Sequence, residues 1–292
     1  MNVCVSIVSF NTEKLLKDCL RSILRRDWRN NVKIFVLDNA SSDESTKMIK
    51  EEFPGVNLIE NKINTGFGAG HNKVFKKTKA DYFLVLNSDT IIDGSVIDDM
   101  VDFMEETNCG IASCKILGFD GKLQPNAGDL PFGLSLISWL FNLEDIGIKS
   151  SFHRNESSYY ESVHEVGWVS GNFMMIRDTV FKKIGYFDEV FFMYFEDTDF
   201  CFRAKQSEFK IMINPKTYIK HLSGGSLDDP KLRQWSGEYI GLVHFYFKNY
   251  GIFAGVSVKL LSYLSILLRI IFFGFLGKPK ISLTYGKVIA SI

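Results

Sequence analysis

Asp38 closes the run "VKIFVLD" and Asp89 follows "YFLVLNS", so each carboxylate stands where a run of strand-forming residues ends. Small polar residues flank both, Asn39, Ser41 and Ser42 beside the first, Asn87 and Ser88 beside the second. Two readings compete. Asn, Ser and Asp are turn formers whose side chains bond nearby backbone. A carboxylate at such a place can also bind a divalent cation, with substrate phosphates and water completing the shell, or accept the N3–H of a uracil or thymine base, the chemistry open to Asp38. A third group is "YFEDTDFCFR", where Glu196, Asp197 and Asp199 crowd the start of a helical stretch amid aromatics. Acids suit a helix N-terminus and one of them could cap it, but capping does not need three. An aromatic shell lowers solvation and raises a carboxyl pKa, which suits a general base. His221, in "KHLSGGS", either fills a structural place or completes an oxygen-rich metal site through a ring nitrogen. The glycines of "NTGFGAGHN" would let backbone approach a ligand closely. They lack the dinucleotide-binding spacing, and a plain glycine turn reads them equally well.

These groups need a frame. Residues 3–10 predict a first strand, and "TEKLLKDCLRSILRR" a helix capped by Thr12, with Leu15, Leu16, Cys19, Leu20, Ile23 and Leu24 on one face. "VKIFVLDN", "VNLIE" and residues 82–87 read as strands, with helices over "SSDESTKMIKEEF", 67–79 and 95–107 between and after them, then "GIASCKI" as a strand. Strand–helix alternation with apolar, non-alternating strands predicts a parallel sheet covered on both faces. Ligands of such sheets bind beyond the carboxyl ends of the strands, which is where Asp38 and Asp89 stand. The alternation breaks near residue 116. Residues 117–165 read as a long loop region with short pieces of structure. "VGWVSGNFMMIR" resumes strand character, "TVFKKIGYF" and the "EDTDF" stretch read as helices, "KIMINPKTYIKH" as a strand or hairpin, and 229–250 as helical.

Lys+Arg and Asp+Glu both number 34, so no global electrostatic footprint for nucleic acid exists and no nucleic-acid partner is expected. Five scattered cysteines without a CxxC pair read as reduced, buried thiols of a cytosolic protein. "MNVCVSIVSF" reads as a strand rather than a secretory signal.

The order of "IVSFN", "VLDNASSD", "NTGFGAGHN", "LNSDT", "GWVSGNFMMIR", "GYFDEVFFMYFEDTDFCFR" and "HLSGGS" resembles the family 2 glycosyltransferases, and most of all the rhamnosyltransferase-like members that build bacterial surface polysaccharides such as O-antigen. The resemblance covers roughly residues 3–250 and implies the GT-A fold: α/β, with a mostly parallel central sheet flanked by helices, here with a helical C-terminal extension. It implies an inverting transferase whose donor is a nucleotide sugar, dTDP-L-rhamnose or alternatively a UDP-sugar, and whose acceptor is a saccharide, often lipid-linked. It implies that Asp38 holds the pyrimidine base, with Asn64, Gly66, Asn87 and Ser88 contacting the nucleotide sugar. Asp89 would bind a divalent metal, Mn²⁺ or Mg²⁺, with His221 near the metal and diphosphate. Asp197 would be the base, and Trp168, Asn172 and Glu196 would border sugar and acceptor. One departure is visible: the first acid of the family's Asp-x-Asp motif is Asn87 here. One charge fewer predicts weak metal affinity without nucleotide. Two rivals remain at this point. A nucleotidyltransferase would want a basic Gly-rich loop where "SFNTEK" stands, and a non-catalytic nucleotide-sugar-binding relative has only Asn87 in its favour.

Residues 1–250 are expected to form the transferase domain and 251–292 an apolar helical tail. Lys259 and Arg269 interrupt the tail, leaving no charge-free run of roughly 18 residues. Lys259, Ser262, Ser265 and Arg269 fall on one helical stripe of about 120° and the rest is apolar. Such a helix either packs into the domain or lies in a membrane interface. Lys278 and Lys280 beyond it favour an anionic leaflet. The expectation is a peripheral enzyme on the inner face of the cytoplasmic membrane.

Overall fold

A computed structural model describes residues 1–143, 147–148, 151–222 and 230–292. The "SGGS" that follows His221 lies outside the described residues. The first half alternates as its periodicity predicts: β1 (Asn2–Ser9), α1 (Glu13–Leu24), β2 (Asn31–Asp38), α2 (Ser45–Glu52), β3 (Asn57–Glu60), α3 (Phe67–Phe75), β4 (Tyr82–Asn87), β5 (Thr90–Ile91), α4 (Val96–Thr107) and β6 (Ile111–Leu117). The stretch read as loop contains short pairs and one helix: β7 (Leu123–Gln124), β8 (Ala127–Gly128), α5 (Gly133–Phe141), a 3₁₀ turn (Ser157–Tyr160) and β9 (His164–Glu165). Then come β10 (Trp168–Val169), β11 (Phe173–Arg177), α6 (Asp178–Ile184), α7 (Glu196–Gln206), β12 (Ile211–His221), α8 (Pro230–Phe275) and α9 (Pro279–Ile289).

The main sheet runs β3-β2-β1-β4-β11-β6-β12-β5. β3, β2, β1 and β4 are mutually parallel, and β6 and β12 run the same way. β11 enters antiparallel between β4 and β6, and β5 pairs antiparallel with the end of β12. The sheet is thus mostly parallel with two reversals. Alternate residues along β1 face opposite layers: Val3, Val5 and Ile7 join Leu16, Leu20, Ile49, Ile97 and Met100 on one side, while Cys4 packs with Val74, Phe75 and the aromatics of α7 on the other. That is why the strands read as unbroken apolar runs. All five cysteines are unpaired and buried, and burial pushes the Cys19 thiol up to about 12, so they behave as small core residues.

α8 extends far beyond residue 250, with one break in its backbone at Gly251, φ 81°. Its stretch Leu232–Phe275 is the one helix among the described residues long and apolar enough to cross a membrane. Its amphipathicity is inverted. The polar stripe points inward: Ser262 and Ser265 are buried, Arg269 donates to the carbonyls of Trp139 and Leu140 and to Asn142 Oδ1, and Lys259 Nζ reaches the Ile292 carbonyl. Phe253, Leu260, Leu264, Leu268, Phe272 and Phe275 face outward, and only 22% of the most apolar window is buried.

Candidate active site

The carboxyl ends of neighbouring strands form one edge. Ser9 of β1 pairs in register with Asp38, and Val8 with Asn87. Thr12, expected to cap α1 with its side chain, makes no such bond. Its hydroxyl instead lies 2.8 Å from Ser9 Oγ and donates to Ser88 Oγ at 3.1 Å, tying the two strand ends together. Asp38 is 2% exposed. Its Oδ2 accepts the Ser41 N–H at 2.9 Å, the turn bond expected of an Asx residue. Its Oδ1 is buried with no partner. A buried acceptor left unpaired costs about 1–3 kcal/mol, so this oxygen marks a place where a ligand N–H would be welcome. The turn bond thus takes one Asp38 oxygen and leaves the other open to a ligand N–H.

The glycine loop beside it is pinned by Asn39, whose Nδ2 donates to the Gly66 carbonyl and whose Oδ1 accepts from Thr65 and Asn61. Asn64 Oδ1 accepts the Gly66 N–H. Gly66 itself has φ +87°, and a Cβ there would meet the Phe192 carbonyl oxygen at 2.3 Å. The Phe67 N–H donates to that same carbonyl. Contact with the segment leading to α7 is by itself enough to require a glycine at 66.

Asp89 and His221 meet at the end of β4 and β12. His221 Nε2 lies 3.1 Å from Asp89 Oδ1, both side chains being nearly buried. Gln124 fixes the ring: its Nε2 donates to the His221 carbonyl at 3.0 Å, which turns its Oε1 towards His221 Nδ1 at 2.8 Å. Nδ1 then carries a hydrogen, and Nε2 is the ring atom turned to Asp89. Asn87 Nδ2, which donates to Asn172 Oδ1 at 2.8 Å, comes within 3.4 Å of His221 Nε2. The Asn87 amide is thus used in a bond to the neighbouring Asn172. The Asp89 oxygen and His221 Nε2 face each other at 3.1 Å, a pair of atoms that could also share a cation. One carboxylate, one imidazole and room for phosphate oxygens fit Mg²⁺ or Mn²⁺, although no cluster of three or more ligating side chains occurs among the described residues.

The acid cluster of α7 divides. Asp197 is partly buried, with Oδ2 accepting the Gly171 N–H at 3.1 Å and Oδ1 the Thr198 N–H at 2.7 Å. Glu196 is buried and its Oε2 has no partner. Desolvation raises both carboxyls, Glu196 the more strongly, with the Asp197 charge adding to it. Asp197 accepts the backbone N–H groups of Gly171 and Thr198, so it is the first of the pair to ionise, while burial holds the Glu196 carboxyl well above its ordinary range. Asp199 turns away and is fully buried, bound by Arg203 Nε at 2.8 Å and by Lys248 Nζ at 2.8 and 2.9 Å. Two non-glycine residues with positive φ, Tyr194 (71°) and Phe195 (72°), precede the cluster; such conformations cost of order 1–3 kcal/mol each.

The chain Asp38–Ser9–Thr12–Ser88–Asp89–His221–Asn87–Asn172–Gly171–Asp197 is thus continuous through bonds and register. Trp168 is not in it. Expected to border the sugar, it is buried against Phe152 and His153, its Nε1 donating to the Phe152 carbonyl. Gly171, three residues on, is the member of that segment touching Asp197. Gln124, Thr12 and Lys248 were not foreseen; Gln124 lies in the stretch without periodicity, and no local pattern marks it.

The glycosyl transferase family 2 model matches residues 4–185. The chain belongs to this family. Among curated relatives, the low-salt glycan biosynthesis hexosyltransferase Agl10 of Haloferax volcanii is 27% identical over 72% of this chain and 64% of its own length. Rhamnosyltransferase WbbL of Escherichia coli is 25% identical over 75% of this chain and 83% of its own. N-acetylglucosaminyl-diphospho-decaprenol L-rhamnosyltransferase of Mycobacterium tuberculosis is 25% identical over 65% of this chain and 66% of its own. Of solved structures, the mannosyltransferase PcManGT of Pyrobaculum calidifontis, in complex with GDP-Man and Mn²⁺, has a TM-score of 0.60 at 12% identity, covering 99% of this chain and 85% of that one. Staphylococcus aureus TarS 1-349 has a TM-score of 0.55 at 16% identity, covering 100% and 91%. The fold is GT-A.

Proposed function

We propose that this family 2 member transfers a sugar from a pyrimidine nucleotide donor, dTDP-L-rhamnose by preference, to a lipid-linked saccharide acceptor of a surface polysaccharide. One observation carries the reading: the ordered line of Asp38, Asp89–His221 and Asp197 along a single sheet edge. The unpaired Asp38 Oδ1 suits the N3–H of thymine or uracil, so UDP-sugars remain the second reading on that same atom. The names of the Escherichia coli and mycobacterial relatives favour rhamnose, and the mycobacterial name favours a lipid diphosphate carrier.

Asp197 takes the proton of the acceptor hydroxyl as that oxygen attacks the anomeric carbon from the face opposite the diphosphate, so configuration inverts. The Gly171 and Thr198 N–H groups hold the carboxylate in place and ionised. Glu196, protonated, is a donor to a sugar hydroxyl. Asp89 and His221 would hold Mn²⁺ or Mg²⁺, which neutralises charge growing on the leaving diphosphate. Asn64 and Asn172 serve by shaping the loops around these groups.

The inverted amphipathicity of α8, with Lys278 and Lys280 exposed beyond it, supports peripheral attachment to an anionic bilayer on its cytoplasmic side, beside the acceptor's lipid. Residues 1–250 are then the transferase unit and 251–292 the docking tail. The test is calorimetry with dTDP, UDP, GDP and ADP sugars, with and without Mn²⁺, on the wild type and Asp89→Ala. Pyrimidine-selective binding strengthened by Mn²⁺ only in the wild type is expected. Tight purine binding would refute the role of Asp38, and an equal Mn²⁺ effect in the variant would refute that of Asp89.

A further inference from the structure

We propose that the first half of α8 is a clamp that aims the catalytic base, with Gly237 and Gly241 as positioning residues acting through the Tyr194–Phe195 turn. The inference rests on the reading of Asp197 as the base. Tyr194 and Phe195 are consecutive bulky residues with φ of 71° and 72°, immediately before Glu196 and Asp197. Such backbone persists only where the surroundings over-determine it. The surroundings here are one face of α8. A Cβ on Gly237 would stand 2.6 Å from Tyr194 Cδ2 and 2.7 Å from the Met193 carbonyl oxygen. A Cβ on Gly241 would stand 2.4 Å from Phe195 Cβ and 3.0 Å from its Cγ.

Residues 237 and 241 are one turn apart, and Lys248 lies two turns further on the same face. Lys248 binds both oxygens of Asp199 and also Asp188 at 2.8 Å. Asp199 in turn donates its N–H to the Phe195 carbonyl at 2.9 Å, the first helical bond of α7. The helix therefore presses on the turn at one end and holds the following turn of α7 at the other. Phe195 is buried against Trp139, Phe152 and Phe245, so it cannot retreat freely. Glycine inside a helix runs against helix propensity; both positions that touch the turn carry it, and at both a side chain has no room. Displacing the turn would draw Asp197 Oδ2 from the Gly171 N–H, loosening the carboxylate and raising its pKa further.

The experiment uses the full chain and the nucleotide sugar that the calorimetric panel selects, with water standing in for the acceptor in donor hydrolysis. Gly237→Ala, Gly241→Ala, Gly241→Ala with Phe195→Gly, and Asp197→Asn are compared for Tm, dissociation constant of the nucleoside diphosphate, and kcat against pH. Each alanine variant is expected to lose about 10- to 100-fold in kcat, with nucleotide binding within about twofold and the acid limb of the pH profile moved upward. Phe195→Gly removes the two nearest atoms that the Gly241→Ala methyl meets and leaves the Tyr194 carbonyl oxygen at 3.2 Å, and glycine adopts φ +72° without strain, so the double variant is expected to regain about tenfold. Alanine variants of unchanged or higher Tm with wild-type kcat would overturn the clamp, as would folded variants whose double shows no recovery. An inactive Asp197→Asn beside normal glycine variants refutes the clamp alone; an active Asp197→Asn refutes the base assignment and the clamp with it.

Discussion

At the scale of single residues, the site is built from unequal pairs. Asp38 has one oxygen bonded and one free, and Asn87 supplies an amide that donates to Asn172 Oδ1. Glu196 and Asp197 are neighbours of which Asp197 accepts the backbone N–H groups of Gly171 and Thr198, while Glu196 Oε2 has no partner. The buried Glu196 carries a consequence for stability. Its folded pKa lies above the ordinary 4.5 because burial penalises the charged form, so the native state binds its proton more tightly than the unfolded chain. Its contribution is therefore fully present below pH 4.5 and is lost as pH rises through the raised value, at up to about 1.4 kcal/mol per pH unit. Glu196→Gln has no proton to lose. The difference in unfolding free energy between variant and wild type should grow in the variant's favour from pH 5 to 8 in urea titrations; parallel curves would show that Glu196 is not protonated in the fold.

At the scale of elements, α7 and α8 are joined through buried charge. Asp199 is fully buried between Arg203 and Lys248. Lys248→Met removes one of two cations and should cost about 2 kcal/mol, seen as a fall of a few degrees in Tm, whereas Lys248→Arg should retain most of the stability. An unchanged Tm in the methionine variant would mean Arg203 alone satisfies the carboxylate. This union also explains what the sequence could and could not disclose. β1 to α4 were legible because each strand buries both faces and each helix one, leaving plain periodicity. Asp38, Asp89 and Asp197 were legible because acids at strand and helix ends stand out from apolar surroundings. Gln124 was not, since it acts through His221 across 97 residues in a stretch without pattern. An indole and a glycine fit a ligand wall or a tight internal contact equally well, and the packing of Trp168 against Phe152 and of Gly66 against Phe192 shows only in the fold.

At the scale of the whole molecule, the tail sets its polar stripe against the protein and its apolar face outward. Removing the tail would expose Trp139 and the carbonyls that Arg269 binds, so point changes on the outer face are the cleaner probe. Phe253→Glu with Leu264→Glu should leave Tm and donor hydrolysis unchanged and weaken binding to anionic liposomes at least tenfold; undiminished binding would remove the tail from the membrane. The central claim, that this chain moves a sugar with Asp197 as its base, is tested most directly by nucleoside diphosphate release from the preferred nucleotide sugar in the presence of Mn²⁺, wild type against Asp197→Asn. The account predicts a loss of about 10²- to 10⁴-fold in kcat with nucleotide binding and Tm retained. Turnover within a few-fold of wild type by Asp197→Asn would contradict it.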